Sequence, residues 1–425
     1  MQVLWGSVGI QYNILSKLPT CTNLTRESLP RDWRPTVSSS FAGSRLTRLQ
    51  LSVFAASIGI ACVYLIPAFA EELGASYLDL GLIGTARSLP YTFLPVIAGY
   101  VGDRLGRRRL YLLSIFAVGS ATLLLAATRT IGGILAVQVF LGIGMSLFWP
   151  VSEALVSEIS SAHERASAIG MYAVAWGVGF LIGPFLGGII AELAGFQSAF
   201  SVAGVLVLAT AGASVAAIRG EEKQHCSVVR ASAKPSWKVV SAVLPMLLVQ
   251  VPYAIVLAFV VSIFPGYAVE SGLTPTEVGL ILSGFGLART SVFLLSGRLG
   301  RIGERRAIGA AFLGLMPVLI LIPFNRSFVG LLLDSSLIGA LIGIIYPQTV
   351  AYVSKHSPSE NLGFAIGAYE AVFGIGFAAG PLLSGFIAQT AGPEFAMFAL
   401  ALVALSAIPV LVFSERIATS GERPH

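Results

Sequence analysis

The chain has 425 residues, of which 55% are hydrophobic and only 11% charged, and its mean hydropathy is +0.83. Soluble domains carry about 25% charged residues, so this composition cannot cover a water-facing surface. The net charge of +6 does not mark a nucleic-acid binder, because the basic residues fall in short clusters between apolar runs. Cys21, Cys62 and Cys226 are odd in number and far apart, which argues against a disulfide framework or a metal-ligand spacing. No metal, cofactor or catalytic apparatus is expected.

Residues 1–45 are polar and rich in Ser, Thr, Pro and Arg. They lack the apolar core and cleavage site of a signal peptide and read as a disordered cytoplasmic extension, or as an over-long start. A helix crossing the hydrocarbon needs about 20 apolar residues, and twelve runs approach that length. They are Leu49–Phe69, Leu78–Val101, Leu110–Ala127, Ile131–Ile159, Ala166–Leu193 and Ser198–Ile218, then Val239–Ala268, Val278–Leu299, Ala307–Phe324, Phe328–Val353, Gly363–Thr390 and Phe395–Phe413. The expectation is an all-α membrane protein with an N-terminal six-helix half (46–218), a cytoplasmic central loop (219–238), a C-terminal six-helix half (239–413) and a cytoplasmic tail (414–425).

An even number of spans puts both termini on one side, and the basic residues say which. With the N-terminus inside, 23 Lys and Arg residues lie in cytoplasmic segments, while Arg129 and Arg326 alone lie in external ones. The external loops carry Glu71, Glu72, Asp79, Glu192, Glu270, Glu277 and Glu394 instead. This asymmetry follows the positive-inside rule and predicts a multi-pass protein of the cytoplasmic membrane.

The halves superimpose in sequence. Pro67/Pro265, Glu72/Glu270, Gly74/Gly272 and Gly81/Gly279 are 198 apart, and from the end of span two the offset is 197: Arg104/Arg301, Gly106/Gly303, Arg129/Arg326, Gly142/Gly339, Pro150/Pro347, Tyr172/Tyr369, Gly177/Gly374 and Pro184/Pro381. One residue has slipped within span two or eight. A parallel six-plus-six repeat is an arrangement of secondary transporters, whose solute sits near the midplane between the halves. A channel needs no such design, and no selectivity-filter segment is visible.

Gly99, Asp103, Arg104, Gly106, Arg107, Arg108 and Arg109 end span two and enter span three. The glycines permit a tight turn and close helix approach, Asp103 is an anion placed to meet a helix N-terminus, and the arginines suit an anionic lipid surface. A plain positive-inside loop would account for the arginines alone; Asp103 between glycine turns points to a gate. In span five, Gly179, Gly183, Pro184, Gly187 and Gly188 form a small-residue packing face with an invitation to kink.

These stretches resemble the major facilitator superfamily over about residues 46 to 413. The first is similar to that family's signature between helices two and three, the second to the helix-five motif of its proton-coupled exporters. The resemblance implies that Asp103 pairs with the N-terminal end of helix eleven to latch the cytoplasmic side. It also implies a cavity lined by helices one, four, seven and ten, hence Tyr64, Gln138, Trp149, Tyr253, Tyr346 and Gln348 as solute contacts. Two departures stand out. The second-half copy of the signature has Gly300 in place of the aspartate, and Gln138 occupies the place of an arginine linked to proton transfer in drug antiporters.

Ionisable residues within spans are functional hypotheses by default: Arg87, Glu153, Arg289, Asp334 and Glu370. Glu153 and Asp334 are near span ends and can reach water. Arg87 and Arg289 have the alternative of pairing with acids on neighbouring helices. The sequence therefore predicts a transporter working by alternating access, an exporter of a small, partly apolar organic solute, in exchange for protons through Glu370 or Glu153, with sodium as the other candidate ion. It is expected to be a monomer surrounded by lipid. A sugar or organic-anion importer of the same fold is the alternative within the class. A receptor or scaffold without transport is the alternative outside it.

Overall fold

The computed structural model describes residues 39–160, 165–218, 237–358 and 361–413. Within these ranges some side chains, including those of residues 95–105 and 362–364, fall outside the description. The described residues form helices and turns only, arranged as twelve crossings. The first, α1, runs Ser39–Cys62, tightens to a 3-10 turn at Val63–Leu65 and continues as Ile66–Glu72. It starts ahead of the expected boundary at Leu46. Then come α2 (Tyr77–Leu105), α3 (Arg107–Ala127), α4 (Ile131–Ile159), α5 (Arg165–Ala194) and α6 (Phe196–Ile218). In the second half α7 is Trp237–Ser262 followed by Phe264–Glu270, and α8 is Pro275–Leu299 with a 3-10 turn at Gly300–Ile302. The rest are α9 (Glu304–Leu321), α10 (Phe328–His356), α11 (Leu362–Ala391) and α12 (Pro393–Leu405, helical again up to Phe413).

Nine of these are long and apolar enough to cross a membrane. Large apolar side chains such as Leu113, Phe116, Leu193 and Leu402 stand exposed on the outside, which suits lipid and not water.

The halves share their local chemistry. At the start of α2, Ser76 and Asp79 form a reciprocal capping box; at the start of α8, Thr274 and Glu277 exchange the same two backbone hydrogen bonds. Such boxes satisfy amides that the first helical turn leaves without partners. Thr130 caps α4 on Gly133, and its repeat equivalent Ser327 caps α10 on Gly330. Among the described residues, all six with positive φ are glycines, and they form three repeat pairs: Gly74/Gly272, Gly106/Gly303 and Gly195/Gly392. At these turns a Cβ would be strained.

The one-residue slip has a physical account. Between Gly81 and Gly106 the chain has one residue more than between Gly279 and Gly303. The shorter copy ends in the 3-10 turn Gly300–Ile302, where α2 stays α-helical to Leu105. A 3-10 residue rises about 2.0 Å against about 1.5 Å in an α-helix, so three of them recover about one α-helical residue.

Each half packs within itself through α1–α5, α3–α6 and α2–α4, and through α7–α11, α9–α12 and α8–α10. The halves meet along two seams, α2 with α11 and α5 with α8.

Candidate functional site

The two ends of the bundle are named here by their charge: acidic where Glu72, Glu192 and Glu270 lie, basic where Arg107, Arg301 and Lys355 lie. At the acidic end the seams are backbone-tight. A Cβ on Gly81 would stand 2.6 Å from the Pro381 carbonyl oxygen, and one on Gly279 would fall on the Pro184 carbonyl. Gly385 and Gly188, themselves repeat equivalents, lie as closely against the backbones of Tyr77 and Pro275. Glu192 accepts a hydrogen bond from the Thr276 amide at 3.2 Å, and the Tyr77 hydroxyl donates to Glu270.

Towards the basic end the same helix faces part. Residues seven apart share a face of an α-helix to within about 20°. Along α5, the space beside Pro184 is filled by Gly279, beside Gly177 by the Thr290 side chain, and beside Gly170, which is exposed, by nothing within 4 Å among the described residues. Along α11 the series Pro381, Gly374 and Gly367 runs from Gly81, to Thr92, to nothing within 4 Å among the described residues, Gly367 being exposed. The halves therefore form a wedge, closed at the acidic end.

Just beneath the closed end is a cavity of about 70 Å³ lined from both halves, by Tyr64, Trp176, Phe180 and Pro184 on one side and Phe285, Arg289, Thr290 and Phe377 among those on the other. Trp149, Trp176 and Phe180 form one aromatic cluster, with Tyr64 against Phe180. Tyr253, Tyr346 and Phe373 form a second.

One cation, Arg289, lines this cavity, and a second, Arg87, packs on the ring of its wall residue Tyr64. Arg87, 5% exposed, lies with its guanidinium 5.0 Å from the Tyr64 ring centroid and donates from Nη2 to the Ser262 hydroxyl at 3.5 Å, while its buried Nη1 has no partner. Arg289 donates from Nη2 to the Tyr253 hydroxyl at 3.1 Å and lies over Phe293 at 5.3 Å, while its buried Nε has no partner. Among the described residues neither has a carboxylate within ion-pair distance. The pairing with neighbouring acids that the sequence left open is absent, because Glu370 lies seven residues nearer the basic end than Phe377 on α11, about 10 Å along the axis. A cation–π contact offers about 0.5–2 kcal/mol, against several kcal/mol for burying an uncompensated charge.

Glu153 on α4, exposed, and Glu370 on α11, half-exposed, occupy the wider part of the wedge. Each is within electrostatic reach of the other and of the Tyr91 and Tyr346 hydroxyls.

Sequence comparison decides the family. The profile described as Major Facilitator Superfamily matches residues 49–248 and again 246–425. The chain belongs to the Major Facilitator Superfamily. It is 26% identical over 359 residues to the quinolone resistance protein NorA of Staphylococcus aureus, covering 79% of this chain and 88% of NorA. It is 24% identical over 350 residues to multidrug resistance protein 1 of Bacillus subtilis, covering 80% of this chain and 89% of that protein. Its fold is similar to that of a bacterial homolog of the human lysosomal transporter Spinster, solved inward-facing and unoccupied, with TM-score 0.74 and 15% identity over 89% of this chain and 98% of the other.

As a superfamily transporter, the chain places its expected site residues unevenly. Tyr64 lines the cavity; Tyr253 and Tyr346 stack on each other beside Arg289. Trp149 backs Trp176 and Phe180. Gln138 does not reach the cavity: its amide donates to the Ile83 carbonyl of α2 at 3.4 Å, inside the N-terminal half. Gln348 is buried beside Gly300, towards the basic end of α8. The lining comes from α1, α5, α7, α8 and α11: helices one and seven contribute as expected, whereas four and ten give way to five, eight and eleven. Glycines at the seams bring α5 and α8 into contact, so their aromatics fill the top of the wedge.

The helix-five motif divides its work. Gly179, Gly183 and Gly187 pack on α1 at Ser57, Ile58 and Cys62, whereas Pro184 and Gly188 meet α8. Of the superfamily signature, Gly106 makes the left-handed turn, and Arg107 pairs with Glu158 at 3.6 Å. Arg108 and Arg109 lie in the first turn of α3. The side chains of Gly99, Asp103 and Arg104, and with them the expected latch, lie outside the described residues. Asp334 accepts a hydrogen bond from Asn325 at 2.8 Å near the acidic end, which closes a loop and leaves it away from the cavity.

Trp176, Phe180, Phe285 and Phe377 were not singled out in the sequence. Neither was Gln250, fully buried on α7 with neither amide atom partnered.

Proposed function

We propose that this chain is a secondary active transporter of the cell membrane, exporting a small, partly apolar organic solute by alternating access, with Glu370 and Glu153 handling a coupled proton. The observation that carries the reading is the wedge. The same faces of α5 and α11 are backbone-tight at Gly188 and Gly385 and, among the described residues, exposed and without neighbours at Gly170 and Gly367, so a rocking motion that trades one closure for the other exposes the cavity to each side in turn. The aromatic lining suits a partly apolar solute. The positive-inside rule puts the basic end in the cytoplasm, and the resistance proteins among the relatives favour the outward direction. An organic-anion importer is the second reading, supported by the two cations at the cavity.

Flux in proteoliposomes under imposed pH or sodium gradients tests this. Protein-dependent solute movement driven by the pH gradient is expected. Movement driven by sodium alone would transfer the coupling to sodium. No flux for any member of an aromatic solute panel would remove the transport reading in favour of a receptor or scaffold. Impermeant thiol labelling of cysteines placed in the 219–238 loop should succeed only after the cells are opened.

A further inference from the structure

Resting on that transport reading, we propose that Arg87 and Arg289 form a two-point anion site, so that the solute is an amphipathic organic acid. Its carboxylate or sulfonate sits between the guanidinium groups and its ring lies among Trp176, Phe180 and Phe377.

Four observations carry this. Both side chains bring a permanent positive charge into the protein between the halves, and each retains a buried N–H without a partner, Nη1 of Arg87 and Nε of Arg289. Guanidinium N–H groups have no way of losing their charge or of turning acceptor, so the group that completes them is an acceptor, and the strongest acceptor is an anion. Both arginines belong to one cavity wall, Arg289 in the lining itself and Arg87 over the Tyr64 ring that lines it, although one comes from each half. The acids that could neutralise them, Glu153 and Glu370, belong to the wider part of the wedge and pair with neither. Finally, the cavity volume of about 70 Å³ matches an acid head group and not a drug-sized body, and Trp176, Phe180 and Phe377 in its wall offer an attached ring its contacts.

The repeat makes the same point. Gly142 packs on the Arg87 carbonyl as its equivalent Gly339 packs on that of Phe285, so Arg87 corresponds to Phe285 and, at the same offset, Arg289 to Tyr91. Neither arginine is required by the packing that the two halves share. Each replaces an aromatic residue that the other half tolerates in the same place.

The test uses the purified full-length protein in nanodiscs and three probes of one shape: 2-naphthoate, neutral 2-naphthylmethanol and cationic 2-naphthylmethylammonium. Binding is followed by calorimetry. The acid should bind more tightly than the other two. Arg289→Gln and Arg87→Gln should each weaken it about 10- to 100-fold, the range for losing a hydrogen bond to a charged group, while the alcohol's affinity changes less than twofold. Arg289→Lys, which keeps the charge, should recover part of the loss. An unchanged acid affinity in Arg289→Gln would overturn the proposal, as would tighter binding of the cation than of the acid. Retained binding of the alcohol shows that a variant is folded. The two readings fail separately. Transport of the alcohol without preference for the acid would remove the anion site and leave the transporter, whereas arginine-dependent acid binding without flux would support the site and count against transport.

Discussion

Pro184 and Gly188 of α5 meet Gly279 and Pro275 of α8, and at the other seam Pro381 and Gly385 of α11 meet Gly81 and Tyr77 of α2. The hydroxyl pairs Ser152–Tyr172 and Thr349–Tyr369, both 2.8 Å, likewise occupy equivalent places. The charges within the spans do not repeat. Arg87 stands opposite Phe285, Arg289 opposite Tyr91, Glu153 opposite Val350 and Glu370 opposite Ala173. Packing that must close and part symmetrically has been kept in both copies, because a Cβ at these glycines would hold the backbones apart. Chemistry that recognises a solute needs one site and not two, and it has been placed on one copy at a time.

The steepest way to break this comparison is at the seam glycines. Gly279→Val puts a side chain on the Pro184 carbonyl, and overpacking of this kind costs about 1–3 kcal/mol. Transport should stop with the acidic end held open, which thiol probes placed near Thr276 would report. Gly170→Val meets no described residue in this state but should obstruct the opposite closure. Transport should again stop, now with the basic end held open and stability unchanged. Identical accessibility in the two variants would contradict a shared rocking motion.

A charge unique to one half comes next. Glu370→Gln keeps size and removes the ability to carry a proton. Accumulation driven by a pH gradient should disappear, while downhill exchange and protein level remain. A fall of both modes together with expression would make Glu370 a structural residue.

Smaller effects are expected outside the chamber. Asp103→Asn tests the expected latch: a helix-end interaction is worth about 0.3–1 kcal/mol, so transport should slow by a few fold at near-normal expression; initial-rate flux measures it. Asp334→Asn should change transport least, because its partner is the loop residue Asn325. Thermal unfolding should show a loss of about 1 kcal/mol.

The spans, their repeat and the turn glycines were legible because each rests on local chemistry: an apolar run of bilayer length, a capping residue, a left-handed turn. The cavity was less so. In a membrane helix the lipid-facing and protein-facing sides are both apolar, so nothing in the periodicity of α5, α8 or α11 marks Trp176, Phe285 or Phe377 as inward. Arg87, Arg289, Glu153 and Glu370 could be picked out because charge is rare in a span. Their separation into a cationic upper level and an acidic lower one depends on the axial positions of four different helices, which no short stretch of sequence encodes. Gln138 shows the converse. A position with meaning in relatives here holds an amide turned onto a neighbouring backbone.

The central claim is that the closed acidic end must open in every transport cycle. Glu192→Cys with Thr276→Cys places two thiols where α5 and α8 already touch, with the native contact at 3.2 Å. Oxidation of this variant in proteoliposomes should join the halves and abolish solute flux, and a reducing agent should restore it. Undiminished flux through the fully cross-linked protein would contradict the account.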